Sequence, residues 1–215
     1  MKSKVNIDKG RVKRIITLMK KYYPKVKCAL DHSTPEELLI ATILSAQCTD
    51  ARVNIVTKNL FKKYKSIDDF ANASVKELEK DVKSTGFYKN KAKNIKLCCE
   101  KIRDNFGGEL PKNLPDLISL NGVGRKTANV VLGNAFGIAS GVVVDTHVTR
   151  ICNKLALVES QNAVIIEREL NEIINKKYWI EFPHWLITHG RAVCKARRPQ
   201  CENCFLNDLC PSSEI

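Results

Sequence analysis

The sequence predicts an all-α protein of two helical domains. Capping patterns and apolar residues at helical spacing recur along it, strand-like runs are almost absent, and no linker rich in Pro, Gly or Ser separates its halves. Thr34-Pro35-Glu36-Glu37 is a capping box with Pro at the first helical position, and it leads into Leu38, Leu39, Ile40, Ile43 and Leu44. Asp50 is the expected cap of a helix carrying Val53, Val56, Leu60 and Phe61. Ser74 with Glu77 repeats the box before Leu78 and Val82. Tyr88 to Phe106 reads as a long basic helix stopped by Gly107-Gly108. The one β-rich run, Val142-Val143-Val144, is too short to build a sheet. A bend from Gly137 to Gly141 separates a central block from a C-terminal one and places a domain boundary near residue 140.

The 215 residues include 36 Lys+Arg and 23 Asp+Glu, a net charge of +13, which favours a polyanionic partner over a neutral one. A merely soluble, lysine-rich protein would carry the same charge, so charge alone names no function. Met1 to Lys27 has scattered charges and no apolar core of a signal peptide, which leads us to expect a cytoplasmic protein. The uncharged stretch Ala128 to Val144 contains Asn129, Asn134 and three glycines and falls short of the roughly 20 apolar residues of a membrane span, so no membrane partner is expected.

Leu117 to Ala128 reads as a short amphipathic helix, a Gly122-Val123-Gly124 turn and a second helix running to Phe136, a helix–hairpin–helix. Gly122 and Gly124 permit positive φ and leave room for a close backbone approach. Amides at the start of the second helix, with its dipole behind them, suit a phosphate and would grip a nucleic-acid backbone without reading its sequence. Alone, a Gly-x-Gly reads first as a plain helix turn. Its flank adds chemistry: Lys126 falls in the first turn of the second helix, where the positive helix end disfavours the protonated amine and suits a nucleophile. Without a partner carboxylate it would be read as a solvated lysine.

Asp145 follows the apolar valine run and begins a helical segment, Thr146-His147-Val148-Thr149-Arg150. Its first role is an N-cap, and that is compatible with a second, since a carboxylate there can stabilise positive charge on a sugar or take a proton from an amine.

Nine cysteines, an odd number, make a disulfide framework a poor reading. Cys28, Cys48, Cys98, Cys99 and Cys152 are dispersed among helical apolar positions and read as packing residues. The other four run Cys194-x6-Cys201-x2-Cys204-x5-Cys210, a compact set of thiolate ligands. Zinc ribbons pair two short knuckles and only one spacing here is short, so an iron–sulfur cluster is the better fit. Lys195, Arg197 and Arg198 lie between the first two ligands, where they would contact phosphates; a solvated charge run is the alternative.

Taken together, these stretches resemble the endonuclease III family. The matching segments are Leu44-Ser45-Ala46-Gln47-Cys48-Thr49-Asp50, Gly86-Phe87-Tyr88-Lys89-Asn90-Lys91-Ala92, Gly122 through Val131 and Val144-Asp145-Thr146-His147-Val148, then His184-Trp185-Leu186-Ile187 through His189-Gly190-Arg191 and the cysteine loop, covering about residues 30 to 211 in the family's order. The resemblance implies a six-helix barrel domain with the hairpin over residues 28–139. It also implies an iron–sulfur domain built from residues 1–27 and 140–215, with Cys194, Cys201, Cys204 and Cys210 on a [4Fe–4S] cluster. A monomer would bind damaged double-stranded DNA in a groove between the domains and flip the damaged base into a pocket. By the same resemblance Lys126 is the Schiff-base nucleophile and Asp145 the catalytic carboxylate. Gln47 would fill the gap left in the duplex, Phe87 would act as an apolar wedge, and Gly122, Val123, Gly124, Arg125 and His147 would contact DNA. The implied reaction is excision of oxidised or ring-saturated pyrimidines followed by β-elimination, which cuts the strand 3′ to the abasic site. Two positions depart from the family pattern: Asn121 replaces a common Pro, and Thr85 a common apolar residue.

Two other readings compete. The related adenine glycosylase branch generally lacks the hairpin lysine and carries a long extra C-terminal domain, whereas this sequence has Lys126 and ends five residues after Cys210. A non-catalytic iron–sulfur DNA-binding module would not need Lys126 and Asp145 together.

Overall fold

The computed structural model describes residues 8–215 and is helical, with no strand among the described residues. The chain folds into two compact units, Cys28–Ile138 and Met1–Lys27 with Ala139–Ile215; within the second, residues 1–7 lie outside the described residues.

The Cys28–Ile138 unit contains α2 (Pro35–Leu44), α3 (Asp50–Lys63), α4 (Ile67–Asn72), α5 (Val75–Val82), α6 (Tyr88–Phe106), the five-residue α7 (Leu114–Ile118) and α8 (Arg125–Phe136). Every residue of α2 from Leu38 to Leu44 is buried, as expected of a helix that is apolar all round. Around it pack Val53 and Leu60 of α3, Leu78 and Val82 of α5, Ile95, Cys98 and Ile102 of α6, and Val131 and Leu132 of α8. Removing such a side chain costs about 2–5 kcal/mol, so this core sets the unit's stability.

The helix starts follow the expected caps with three changes. Thr49, not Asp50, caps α3: the hydroxyl accepts the Arg52 amide at 3.3 Å, and Asp50 is the first helical residue, where its charge still complements the dipole. Ser74 caps α5, accepting the Glu77 amide at 3.2 Å, but the Glu77 carboxylate pairs with Lys63 at 2.7 Å. At Thr34 the box is displaced by one residue, since Glu37 accepts the Ser33 amide rather than that of Thr34.

The basic helix α6 spends several of its charges inside the unit. Lys91 donates to the carbonyls of Leu44 and Thr85, Lys96 to those of Ala71 and Ala73, and Lys101 to that of Ser119, so each ammonium meets the C-terminal end of a neighbouring helical segment. Of the five dispersed cysteines, Cys98, Cys99 and Cys152 are buried on helices. Cys28 and Cys48 lie in loops instead, half-buried against the core, because the chain turns at both places before the next helix begins.

The other unit contains α1 (Lys9–Tyr22), α9 (Thr146–Lys154), α10 (Ala163–Ile173) and α11 (Glu181–Ala192). Val12, Ile15, Ile16 and Met19 form the buried face of α1 and share a core with Val148, Ile151, Ile166, Leu170, Phe182 and Leu186. The cysteine loop contributes Leu206 and Leu209 to that core, which anchors a segment otherwise poor in regular structure. No helix among the described residues is long and apolar enough to cross a membrane.

Candidate functional site

In the hairpin, only Gly122 uses its conformational freedom. Its φ is 75°, and a Cβ there would sit 2.9 Å from that of Asn94 on α6, so a larger residue is excluded on both counts. Gly124 has extended backbone at φ −88° and serves as N-cap of α8, where no side chain caps the helix. Val123 is a hairpin core residue: its side chain is buried, and its amide donates to the Leu120 carbonyl at 3.2 Å. It shapes the turn and has no amide to offer a phosphate. Arg125 and Lys126 follow as the first two residues of α8, both exposed.

Gln47, Phe87 and Gly122 are brought together in the structure. They line one cavity of about 170 Å³ with Lys91 and Asn94. Phe87 is 64% exposed, a large apolar ring presented mostly to solvent. Gln47 is exposed too, and both residues are left-handed, at φ 53° and 47°.

Asp145 caps α9, its Oδ1 accepting the Val148 amide at 2.8 Å, so the carboxylate is held at the positive end of a helix. His147, two residues on, is half-buried with Nδ1 facing the Arg150 guanidinium at 3.3 Å, and it packs so closely on Gly190 that a Cβ there would lie 2.6 Å from that nitrogen. Sequence reasoning gave His184 no role. Burial pushes its imidazole below the ordinary histidine range, with Glu181 and Asp145 pulling the other way, which marks it as a neighbour of the carboxylate.

The four C-terminal cysteines line a single cavity with His189 and Leu206. All nine cysteines are unpaired, so no disulfide competes for these thiols. Four thiols set around one cavity are a donor set that fits an iron–sulfur cluster. The surroundings hold the loop from several sides. Arg11 on α1 donates to the carbonyls of Leu155 and Leu209 at 2.7 and 2.9 Å, and Arg150 donates to that of Cys194 at 2.8 Å. His189 is buried, its pKa pushed down to about 4 by desolvation; Tyr23 Oη lies 3.0 Å from its Nδ1 and Cys204 Sγ 3.5 Å from its Nε2. Neither Arg11 nor His189 carried a sequence signal of this role, because their partners are remote in the chain. Lys195, Arg197 and Arg198 are exposed on the loop between the first two cysteines.

A family profile described as HhH-GPD superfamily base excision DNA repair protein matches residues 40–176, and one described as the iron-sulfur binding domain of endonuclease III matches residues 194–210. Endonuclease III of Synechocystis sp. is 49% identical over 211 residues, covering 98% of this chain and 96% of that protein. The chain belongs to the endonuclease III family. The Bacillus subtilis endonuclease III is 46% identical over 189 residues, covering 87% of this chain and 86% of that protein. Among solved structures, a non-covalent endonuclease III–DNA complex superposes with a TM-score of 0.91 at 43% identity, over 96% of this chain and 97% of that one. A trapped endonuclease III–DNA covalent intermediate gives 0.90 at 44% identity with the same coverage. As a member of the endonuclease III family the chain is a base excision repair enzyme, a DNA glycosylase with an abasic-site lyase activity, and it carries the family's iron–sulfur domain.

Proposed function

We infer that this chain removes oxidised or ring-saturated pyrimidines from double-stranded DNA with Lys126 as the nucleophile and Asp145 as the catalytic carboxylate. The observation that carries the reading is the placement of Lys126, exposed in the first turn of α8 immediately after a glycine cap that leaves the helix end open to an anion. Its amine attacks C1′ and the N-glycosidic bond breaks, the base leaving with the bonding electrons. The sugar ring opens to an imine between C1′ and Nζ. Loss of a C2′ proton then drives β-elimination of the 3′ phosphate, and water hydrolyses the imine to regenerate the amine. Asp145 supports the first step by placing negative charge near the developing sugar cation and accepting a proton from the attacking amine.

Gly122, Gly124 and Arg125 would present hairpin backbone to a phosphate, with Val123 shaping the turn. Lys195, Arg197, Arg198 and His147 would add contacts that carry no sequence information. Gln47 and Phe87 would enter the duplex as the damaged base leaves it. The enzyme would act as a monomer on the chromosome, in the cytoplasm.

Cys194, Cys201, Cys204 and Cys210 would hold a [4Fe–4S] cluster, whose bonds to the four thiolates would fix the loop that presents Lys195, Arg197 and Arg198. Anaerobically purified protein should contain about four iron atoms per chain with broad visible absorbance. Stoichiometric zinc without iron would contradict the assignment.

Phe87→Ala should slow excision of a damaged base more than cleavage of a preformed abasic site, by about tenfold or more, because unstacking is easier where the base is already missing. Equal losses on the two substrates would identify Phe87 as a structural residue. For the reaction as a whole, duplexes each carrying one defined lesion should yield released pyrimidine, a 3′ unsaturated aldehyde and a 5′ phosphate. Base release without strand cleavage would reject the lyase half. Release of adenine alone would place the chain in the adenine glycosylase branch.

A further inference from the structure

Gln47 and Phe87 share an unusual backbone state. Each is a non-glycine residue in the left-handed region, which is costly and persists only where the surrounding structure fixes the chain. Residues of both loops line one cavity. One group joins them. Lys91, on α6 and only 4% exposed, donates from Nζ to the Leu44 carbonyl and to the Thr85 carbonyl, both at 2.8 Å. Leu44 ends α2 three residues before Gln47, and Thr85 ends a 3-10 turn two residues before Phe87. The ammonium therefore meets the negative ends of two helical segments just where the strained loops depart. The two carbonyls are its hydrogen-bond partners, and burial pushes its pKa below the ordinary lysine range. A lysine kept in so unfavourable a place is doing what an apolar side chain of the same length could not.

We propose that Lys91 is a positioning residue that locks the Gln47 and Phe87 loops in one relative geometry, so that both side chains enter the duplex together as the damaged base leaves the stack. This rests on the roles proposed above for Gln47 and Phe87, and it makes the ammonium part of lesion extrusion while leaving the chemistry to other groups.

Lys91→Met keeps an unbranched side chain one atom shorter and removes its donors. Single-turnover excision from a duplex with one ring-saturated thymine should fall by about thirtyfold, while borohydride trapping on a preformed abasic site falls by less than about threefold. A 2-aminopurine next to the lesion, whose fluorescence rises on unstacking, should lose at least about half of its rise on binding. Lys91→Arg retains the donors, and the adjoining cavity gives its larger head group room, so it should restore both the substrate ratio and the fluorescence change. Because the clamp acts through the wedge, Lys91→Met should cost less than about threefold more in a Phe87→Ala background. If Lys91→Met fails to fold, Lys91→Gln, whose shorter stem cannot span both carbonyls, carries the same comparison. Equal losses on the two substrates, additive losses with Phe87→Ala, or a normal fluorescence rise would overturn the clamp. An unchanged substrate ratio in Phe87→Ala alone would instead overturn the wedge assignment on which it rests.

Discussion

Lys126→Gln should eliminate the borohydride-trapped complex and lower strand cleavage by at least about a thousandfold, the scale seen when an enzyme loses its nucleophile. Gln has a shorter stem and a carboxamide in place of the amine, so no imine forms, and nothing else in the hairpin needs to move. The turn is set by Gly122 at φ 75° against Asn94 and by the Val123 amide on the Leu120 carbonyl, neither of which touches residue 126. Affinity for duplex containing an abasic-site analogue should therefore stay within about threefold of wild type, since the start of α8, proposed to meet a phosphate, is intact. The split between lost chemistry and retained binding separates a nucleophile from a surface lysine, whose removal would weaken binding and leave trapping in place.

Asp145→Asn should reduce base excision by at least about a hundredfold with little change in melting temperature. Both halves of that expectation follow from the cap. Asn is as good an N-cap as Asp, and its Oδ1 can still accept the Val148 amide, so α9 keeps its start. What disappears is the negative charge proposed to offset the developing sugar cation. Asp145→Ala removes both, and should add a stability loss of about 1 kcal/mol to the catalytic one. Excision that survives in Asp145→Asn but fails in Asp145→Ala would mean that the residue serves only as a cap.

The parts of this molecule that could be read from its sequence depend on short-range physics. Thr34 and Ser74 announce helices because a cap and its amide are three residues apart, and Gly107 ends α6 because only glycine enters the left-handed region cheaply. Cap choice between adjacent candidates is less legible: Thr49 and Asp50 are both good caps, and a one-residue difference in backbone decides for Thr49. The four terminal cysteines stand out because ligand spacing is local too. Groups whose partners are distant could not be read. Lys91 looked like one charge on a basic helix, yet its acceptors lie 47 and 6 residues away and its burial exists only after α2 and α6 pack. Arg11 meets the cysteine loop across 198 residues of chain, and His184 declares itself only through its environment. Gly124 shows the converse error, since a residue that permits positive φ need not adopt it.

In the proposed reaction the amine of Lys126 becomes covalently joined to the sugar of damaged DNA. Wild-type protein, reduced with borohydride on a duplex carrying one oxidised pyrimidine, then digested and mapped by mass spectrometry, should carry the nucleotide adduct on the peptide that contains Lys126 and on no other. An adduct on a different lysine or on the terminal amine, with the Lys126 peptide unmodified, would contradict the account.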